Sequence, residues 1–473
     1  MSRQWHSIAS LRQAASSLVH QWNDSPAQLL RGEFVCEDAL PSLGRSSTTA
    51  AAVELLMQHH PQGLSIVREW RAAVLKQKAS SSQASIEDQH TLKEQDAALQ
   101  RALTTAFGRS FLSLQRISLT SPGYLLDFLA ATEKVHPAKT FLPLKQKLGQ
   151  KRRVLALTQS PRADGLPSAI IHAALTPSIA HSMAYLNTHT GSEEHILQGA
   201  AASHPGLQYP PPPAPTSEPT PPAVANFYSV AVTDPALKGT GLATTLIFEA
   251  AAALQAEHPS LRRFVTLSPV PLFMQWLAAT ATRVAELPAD APAADVAAML
   301  AGSTSTPVPT LLASQFDTAA STGERLQQLR SLAASAGEVE HSPRGAADTG
   351  SEEVAHFHRL QWRERVLQSQ GDLLRLLRWY IAFAKHPSGR PHCPTAAFHL
   401  SNGATLRCVN FMGNLSPQGM RESGSLMVNY EYELAEVAAR AAAFHADSAV
   451  VTRELWEAQW QPRDDADTAL IRS

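Results

Sequence analysis

The run Asn226–Thr244, NFYSVAVTDPALKGTGLAT, is the stretch from which the fold is read. Asn226–Val232 is rich in β-branched and aromatic residues and reads as a strand. Asp234-Pro235 opens a turn containing Gly239 and Gly241. Leu242, Leu246, Ala250 and Leu254 then recur at every fourth position, as on one face of a helix, and Phe264–Leu267 reads as the next strand. Strand, glycine turn and helix N-terminus in that order make an anion site. The first helical turn has N–H groups without carbonyl partners, its dipole favours negative charge, and glycine lets a pyrophosphate approach the backbone.

Three loop types compete for this segment. A P-loop requires Lys after its last glycine, and Leu242 follows Gly241, so that type is excluded. A dinucleotide fingerprint requires a third glycine where Thr244 stands and an acid after the next strand, where Ser268-Pro269 stands. The acyl-CoA loop of Gcn5-related acetyltransferases, [QR]-x-x-G-x-[GA], resembles Lys238-Gly239-Thr240-Gly241-Leu242-Ala243, with Lys in first place. Taken alone, the pattern is also that of a helix cap without a ligand.

Outward from this segment the texture changes twice. Residues 1–108 read as helical, with Leu64, Val67, Trp70, Val74 and Leu75, then Leu92, Ala98, Leu99, Leu103 and Phe107, at helix spacing. Lys78–Gln89, rich in Ser and Gln, reads as a loop. Before Asp24 the chain carries Arg3 and Arg12, several Ser and no acid, which suits an organelle transit peptide but better an ordinary amphipathic helix. From Arg109 strands and helices alternate, with strands expected at Val154–Thr158 and Ser168–Leu175. Two insertions are expected to be disordered: 201–223, containing the polyproline run Tyr209–Pro222, and 288–353, rich in Ala, Ser, Thr, Pro and Gly around a short helix at Glu324–Ala334. A long helix over His356–Phe383, strands over Ala396–Val409 and Ser425–Glu433, and a helix over Ala435–Phe444 complete the pattern.

The totals limit function. The 473 residues suit two or three domains. With 40 basic and 41 acidic residues the net charge is -1, which gives no field for nucleic acid or an anionic membrane. No uncharged apolar run reaches the ~20 residues of a membrane span, so a soluble protein is expected. Cys36, Cys393 and Cys408 do not read as a disulfide framework and point to a reducing interior. The spacing of His392, Cys393, His399 and Cys408 matches no common zinc site, so no metal is expected. His356-x-His358 reads as the solvent face of a helix; Tyr430 and Tyr432 share one strand face and read either as core packing, the commoner case, or as substrate-facing hydroxyls.

Further motifs decide among the loop types. Val135-His136-Pro137, Thr266-Leu267-Ser268-Pro269-Val270-Pro271 with Trp276-Leu277, Phe398-His399-Leu400-Ser401-Asn402-Gly403-Ala404, and Gly424–Tyr432 follow one another in an order that closely resembles malonyl-CoA decarboxylases. The likeness covers most of Phe111–Leu277 and Leu360–Leu434. It implies an α+β fold: an N-terminal helical bundle domain over 1–108, then a Gcn5-related acetyltransferase-like mixed-sheet α/β domain over 109–473 that binds acyl-CoA. It implies conversion of malonyl-CoA to acetyl-CoA and carbon dioxide, in fatty acid metabolism, without a cofactor. By motif the family's catalytic serine falls on Ser268 and its histidine on His399, and the substrate loop falls on Lys238, Gly239, Thr240, Gly241, Leu242, Ala243 and Thr244. Mitochondrial, peroxisomal and cytoplasmic locations all stay open, as does a homo-oligomer. Three departures stand out: some members carry glutamate at the position of Gly241, the cross-linking cysteine of animal enzymes falls near Gly123, and the helical domain is short.

The chemistry fits such residues. Loss of carbon dioxide leaves charge on C2 and the thioester oxygen, so the thioester itself is the electron sink. The protein must stabilise that oxygen and deliver a proton to C2, a task suited to a group titrating near neutrality. His399, expected on a short strand, is the candidate proton donor; Ser268 would hold the carboxylate or relay a proton. Without the resemblance, a serine before proline reads as a turn residue and a lone histidine as a satisfied polar group. A Gcn5-type acyltransferase and a non-catalytic malonyl-CoA binder are the alternatives.

Overall fold

The structure, a computed structural model, describes residues 8–24, 48–80, 85–106, 112–132, 141–159, 166–190, 221–288, 290, 291, 295, 364–386 and 391–447. Outside these residues lie Cys36, Val135-His136-Pro137, the polyproline run up to Thr220, His356 and His358, the helix expected at Glu324–Ala334, and nearly all of 288–353.

The chain divides into two compact units, the first comprising 1–148, 153–172 and 229–253, the second 149–152, 173–228 and 254–473. Among the described residues the first opens with four helices: α1 (Ile8–Asp24), α2 (Thr48–His59), α3 (Gly63–Ser80) and α4 (Ile86–Ala106). The apolar positions read from spacing are their buried faces: Val67, Trp70 and Val74 on α3, and Leu92, Ala98, Leu99 and Leu103 on α4. Each of these Val and Leu side chains taken out of water contributes roughly 1.5–3 kcal/mol. On α1, Ala15 and Leu18 are buried and Trp22 lies 6.3 Å from the Trp70 ring, so this helix belongs to the core. The loop expected over Lys78–Gln89 is shorter than its composition suggests, because helix runs to Ser80 and resumes at Ile86. Lys78 holds the last turn of α3 through Asp96 Oδ2 at 2.6 Å, and Ser85 Oγ caps α4 by accepting from Asp88 N.

The rest of the first unit is strand and helix. β1 (Leu112–Ile117) runs antiparallel to β2 (Arg152–Gln159), from Leu112 opposite Gln159 to Ile117 opposite Val154. Ile117, Val154, Ala156 and Ile170 form a core with Leu129 of α5 (Gly123–Thr132), Leu144 of α6 (Phe141–Lys147), and Leu148. α7 (Met183–Thr190) belongs to the second unit. β3 (Ala169–Thr176) and β4 (Val224–Val232) have residues in both units. After β4 comes the short 3-10 turn Pro235–Leu237, then α8 (Leu242–Glu257), whose Leu242, Leu246, Ala250 and Leu254 are all buried, as the four-residue spacing predicts.

In the second unit β5 (Arg263–Thr266) runs parallel to β4, from Val224 opposite Arg263 to Phe227 opposite Thr266. β6 (Ser268–Pro269), β7 (Thr405–Asn410) and β5 each pair antiparallel with β8 (Met427–Glu431). Strand order is β1-β2-β3-β4-β5-β8-β6, with β7 also on β8. The helices are α9 (Phe273–Val284), α10 (Gln370–Ala382), α11 (Pro394–Ser401), α12 (Pro417–Ser423) and α13 (Val437–Asp447). The mixed sheet and the N-terminal helical region are the α+β architecture expected.

One expectation is corrected. The strand expected over Ala396–Val409 begins only at Thr405, and residues 394–401, His399 among them, are helical. Cys393 caps α11 by accepting from Ala396 N, and Pro394 at the first turn supplies a fixed φ. Gly403, at φ 78°, ends the helix, and its N–H bonds the Leu400 carbonyl. A side chain at Gly403 would run into the Val437 backbone, which explains the glycine of that motif. These are local start and stop signals that β-propensity alone overlooks.

Candidate active site

The second unit holds the proposed catalytic residues. Ser268 is the first residue of β6 and His399 lies in the last turn of α11; both are 5% exposed. His399 Nε2 is 3.1 Å from Ser268 Oγ, and His399 Nδ1 is 2.8 Å from the Tyr432 hydroxyl. The Tyr430 ring stacks on the imidazole at 4.7 Å between centroids, while Phe398 packs edge-on at 5.0 Å. Ser268 Oγ donates to Thr266 Oγ1 at 2.8 Å. The sequence thus brings together Ser268 and His399 across 131 positions. Of the two tyrosines, Tyr430 packs its ring on the imidazole and Tyr432 is its hydrogen-bond partner. Their sequence signals are the i, i+2 spacing that puts both on one face of a strand and their place in the family-like segment Gly424–Tyr432.

Burial sets the charge. The C-terminal end of a helix favours a cation, but desolvation outweighs this and pushes His399 down to about 3. The expectation of a group titrating near neutrality is therefore corrected: the imidazole is neutral. Neutral imidazole still carries one N–H and can serve as hydrogen-bond donor and electrophile. Burial likewise drives the Tyr432 hydroxyl far above its ordinary value, with a side-chain hydrogen bond from Asn402 acting the other way, so the phenol keeps its proton.

The four residues considered for zinc have other engagements. Cys393 caps α11, His399 joins Ser268 and Tyr432, the His392 ring lies 4.1 Å from His386, and Cys408 Sγ bonds Asn410 and Asn429. Among the described residues no group of three or more His, Cys, Asp or Glu stands where it could share a metal.

The candidate phosphate loop belongs to the first unit. Lys238 and Gly239 are exposed, as is Gly241, and the glycines lie at φ 77° and 81°, the left-handed region that turns the chain into α8. Thr240 is buried, and its hydroxyl bonds the Leu237 carbonyl at 2.7 Å, so it braces the turn. Leu242 is buried on α8, with Ala243 and Thr244 half-buried after it.

Side chains far upstream hold this loop. Arg71, 3% exposed, donates from Nη1 to the Ala236 carbonyl at 2.8 Å and from Nε to Asp96 Oδ1 at 3.0 Å. Gln100 Nε2 donates to the Gly239 carbonyl at 2.6 Å. Arg68 pairs with Asp234, whose own carboxylate caps the 3-10 turn by accepting from Ala236 N. Burial alone would raise the Asp96 carboxyl, but hydrogen bonds from Lys78 and Arg71 hold it below its usual range. Sequence reasoning found the glycines and missed these braces, because contacts 139 or more positions apart leave no local pattern.

A mixed sheet preceded by a helical region is an architecture with solved counterparts. The fold matches malonyl-CoA decarboxylase of Cupriavidus metallidurans, with TM-score 0.58 at 21% identity over 94% of this chain and 97% of that one. It matches malonyl-CoA decarboxylase of Rhodopseudomonas palustris with TM-score 0.54 at 24% identity, over 94% and 82%. Residues 110–468 match the malonyl-CoA decarboxylase C-terminal domain, and the chain belongs to that family. It is 28% identical to mitochondrial malonyl-CoA decarboxylase of Rattus norvegicus over 354 residues, which are 73% of this chain and 58% of the relative. The chain therefore spans under two thirds of that relative's length. No helix among the described residues is long and apolar enough to cross a membrane.

Proposed function

We propose that the protein converts malonyl-CoA to acetyl-CoA and carbon dioxide, with Ser268 and His399 as catalytic residues. The observation that carries the reading is the 3.1 Å contact between these two buried side chains, on the domain matched by the malonyl-CoA decarboxylase family. In the reaction the C2–C3 bond breaks, its electron pair passes to C2 and the thioester oxygen, and carbon dioxide leaves. His399, neutral, offers its N–H to the developing enolate, as a preorganised donor that is worth ~3–4 kcal/mol of barrier in other enzymes. A thioester enolate is a far stronger base than the anion of imidazole, so transfer of that proton to C2 runs downhill, and solvent returns one proton per turnover. The CoA diphosphate lies on Lys238–Thr244 in this reading, with 1–108 as a helical domain and 109–473 as the catalytic domain.

The test is release of labelled carbon dioxide from purified protein given malonyl-CoA alone. An acyltransferase would need an acceptor, and a binding protein would take up malonyl-CoA without turnover; either result removes the proposal. Sedimentation and organelle fractionation address the subunit number and compartment that accompany it.

A further inference from the structure

We infer that Thr266 is the positioning residue that fixes the direction of the proton between Ser268 and His399; the inference rests on the catalytic pair proposed above. The residue stands at an interruption of the sheet. β5 and β6 share one register against β8, with Val265 opposite Glu431 and Ser268 opposite Val428, yet the pairing lapses between them. Side chains bridge the lapse. Tyr430 N donates to Thr266 Oγ1 at 3.1 Å, where a strand would use a carbonyl. Asn429 Nδ2 donates to the Thr266 carbonyl at 2.7 Å and to the Ala180 carbonyl at 2.9 Å. Asn429 Oδ1 in turn accepts from Asn410 Nδ2 at 2.7 Å. Thr266 is 1% exposed and Asn429 fully buried, so this oxygen has a fixed place.

Residues i and i+2 of a strand share a face, which brings Ser268 Oγ to 2.8 Å from Thr266 Oγ1. A hydroxyl oxygen accepts through two lone pairs. One is taken by the Tyr430 N–H, which can only donate, and the other by the Ser268 hydroxyl. The Ser268 proton therefore points away from His399 and leaves oxygen lone pairs facing Nε2, 3.1 Å away. Nε2 must then carry the imidazole proton, and Nδ1 accepts from the Tyr432 hydroxyl. In this direction the pair is set to give a proton from Nε2. It is not set to strip one from Ser268, so no acyl-serine forms.

The experiment uses the full chain with 15N-labelled histidine, the His399 signals being assigned by difference from His399→Asn. In the parent protein and in Thr266→Ser, which keeps the hydroxyl, Nε2 should be the protonated nitrogen. In Thr266→Val the Ser268 proton is released to turn toward Nε2. The spectrum should then show the Nδ1–H form, with kcat down roughly 10- to 100-fold, part of what acid–base help supplies, and KM little changed. Should Thr266→Val fail to fold, Thr266→Cys, with its weak sulfur acceptor, replaces it. An unchanged tautomer or an unchanged kcat in the variant overturns the inference. Full turnover in Ser268→Ala and His399→Asn would instead remove the catalytic pair, and the tautomer measurement would still judge Thr266.

Discussion

The Tyr432 hydroxyl lies 2.8 Å from His399 Nδ1, inside a site where both side chains are almost wholly shielded from water. Burial keeps the phenol protonated and the imidazole neutral, so the two form an uncharged hydrogen-bonded pair. Tyr432→Phe removes the hydroxyl and little volume. It should reduce kcat roughly 5- to 10-fold, since one hydrogen bond is worth ~1–1.5 kcal/mol, with affinity for CoA unchanged by titration. Full turnover in this variant would show that Tyr430 stacking alone orients the ring.

Ser268→Ala and His399→Asn should each lower decarboxylation by ~100–10,000-fold while CoA still binds. Groups that act as one unit lose activity non-additively, so the double variant should be little worse than the worse single one. Single-turnover assays of all three decide the matter: losses that multiply would assign the residues to separate steps.

Acid should destabilise the fold through His399 in a direction fixed by linkage. Its folded value is about 3, against about 6.5 in an unfolded chain. Between these values the unfolded chain binds a proton that the folded one refuses, so stability rises with pH and is lost as pH falls from 6.5. The loss is about 1.4 kcal/mol per pH unit from this residue. Denaturant midpoints of the parent protein should therefore drop faster between pH 6.5 and 4.5 than those of His399→Gln. Parallel curves would mean that the imidazole is solvated.

The loop braces should govern binding and leave the chemical step alone. Gln100→Glu sets a carboxylate against the Gly239 carbonyl in place of a donor, and Lys238→Glu reverses the charge on the exposed rim of the loop. Both should raise KM for malonyl-CoA about tenfold or more with kcat nearly constant, since an interaction made equally in ground and transition states acts on KM alone. A fall in kcat at constant KM would detach the loop from the substrate.

Much of this fold was legible because it is written locally. Leu242, Leu246, Ala250 and Leu254 announce α8 by spacing, and Gly239 and Gly241 announce the turn before it. The placement of His399 was misread because Phe398 and Leu400 have strand and helix use alike, and the deciding signals are the cap at Cys393 and the stop at Gly403. Arg71 and Gln100 carry no readable function, and Tyr432 and Thr266 are legible only as members of family-like segments. What they do depends on partners brought near only by folding, and a solvent-shielded imidazole looks in sequence like any other histidine.

The hold of Arg71 and Gln100 on the Ala236 and Gly239 carbonyls bears on how this domain can be inherited or moved. The segment matched by the family domain begins at residue 110, downstream of both side chains. A fragment begun there would carry Ser268, His399 and the two loop glycines, yet leave two carbonyls of the turn without their donors. Recognition of a domain by its sequence and self-sufficiency of that domain as an object are different properties here. A swap cut at residue 110 should move Ser268 and His399 without the side chains that hold the turn, whereas a cut upstream of α3 would move both together.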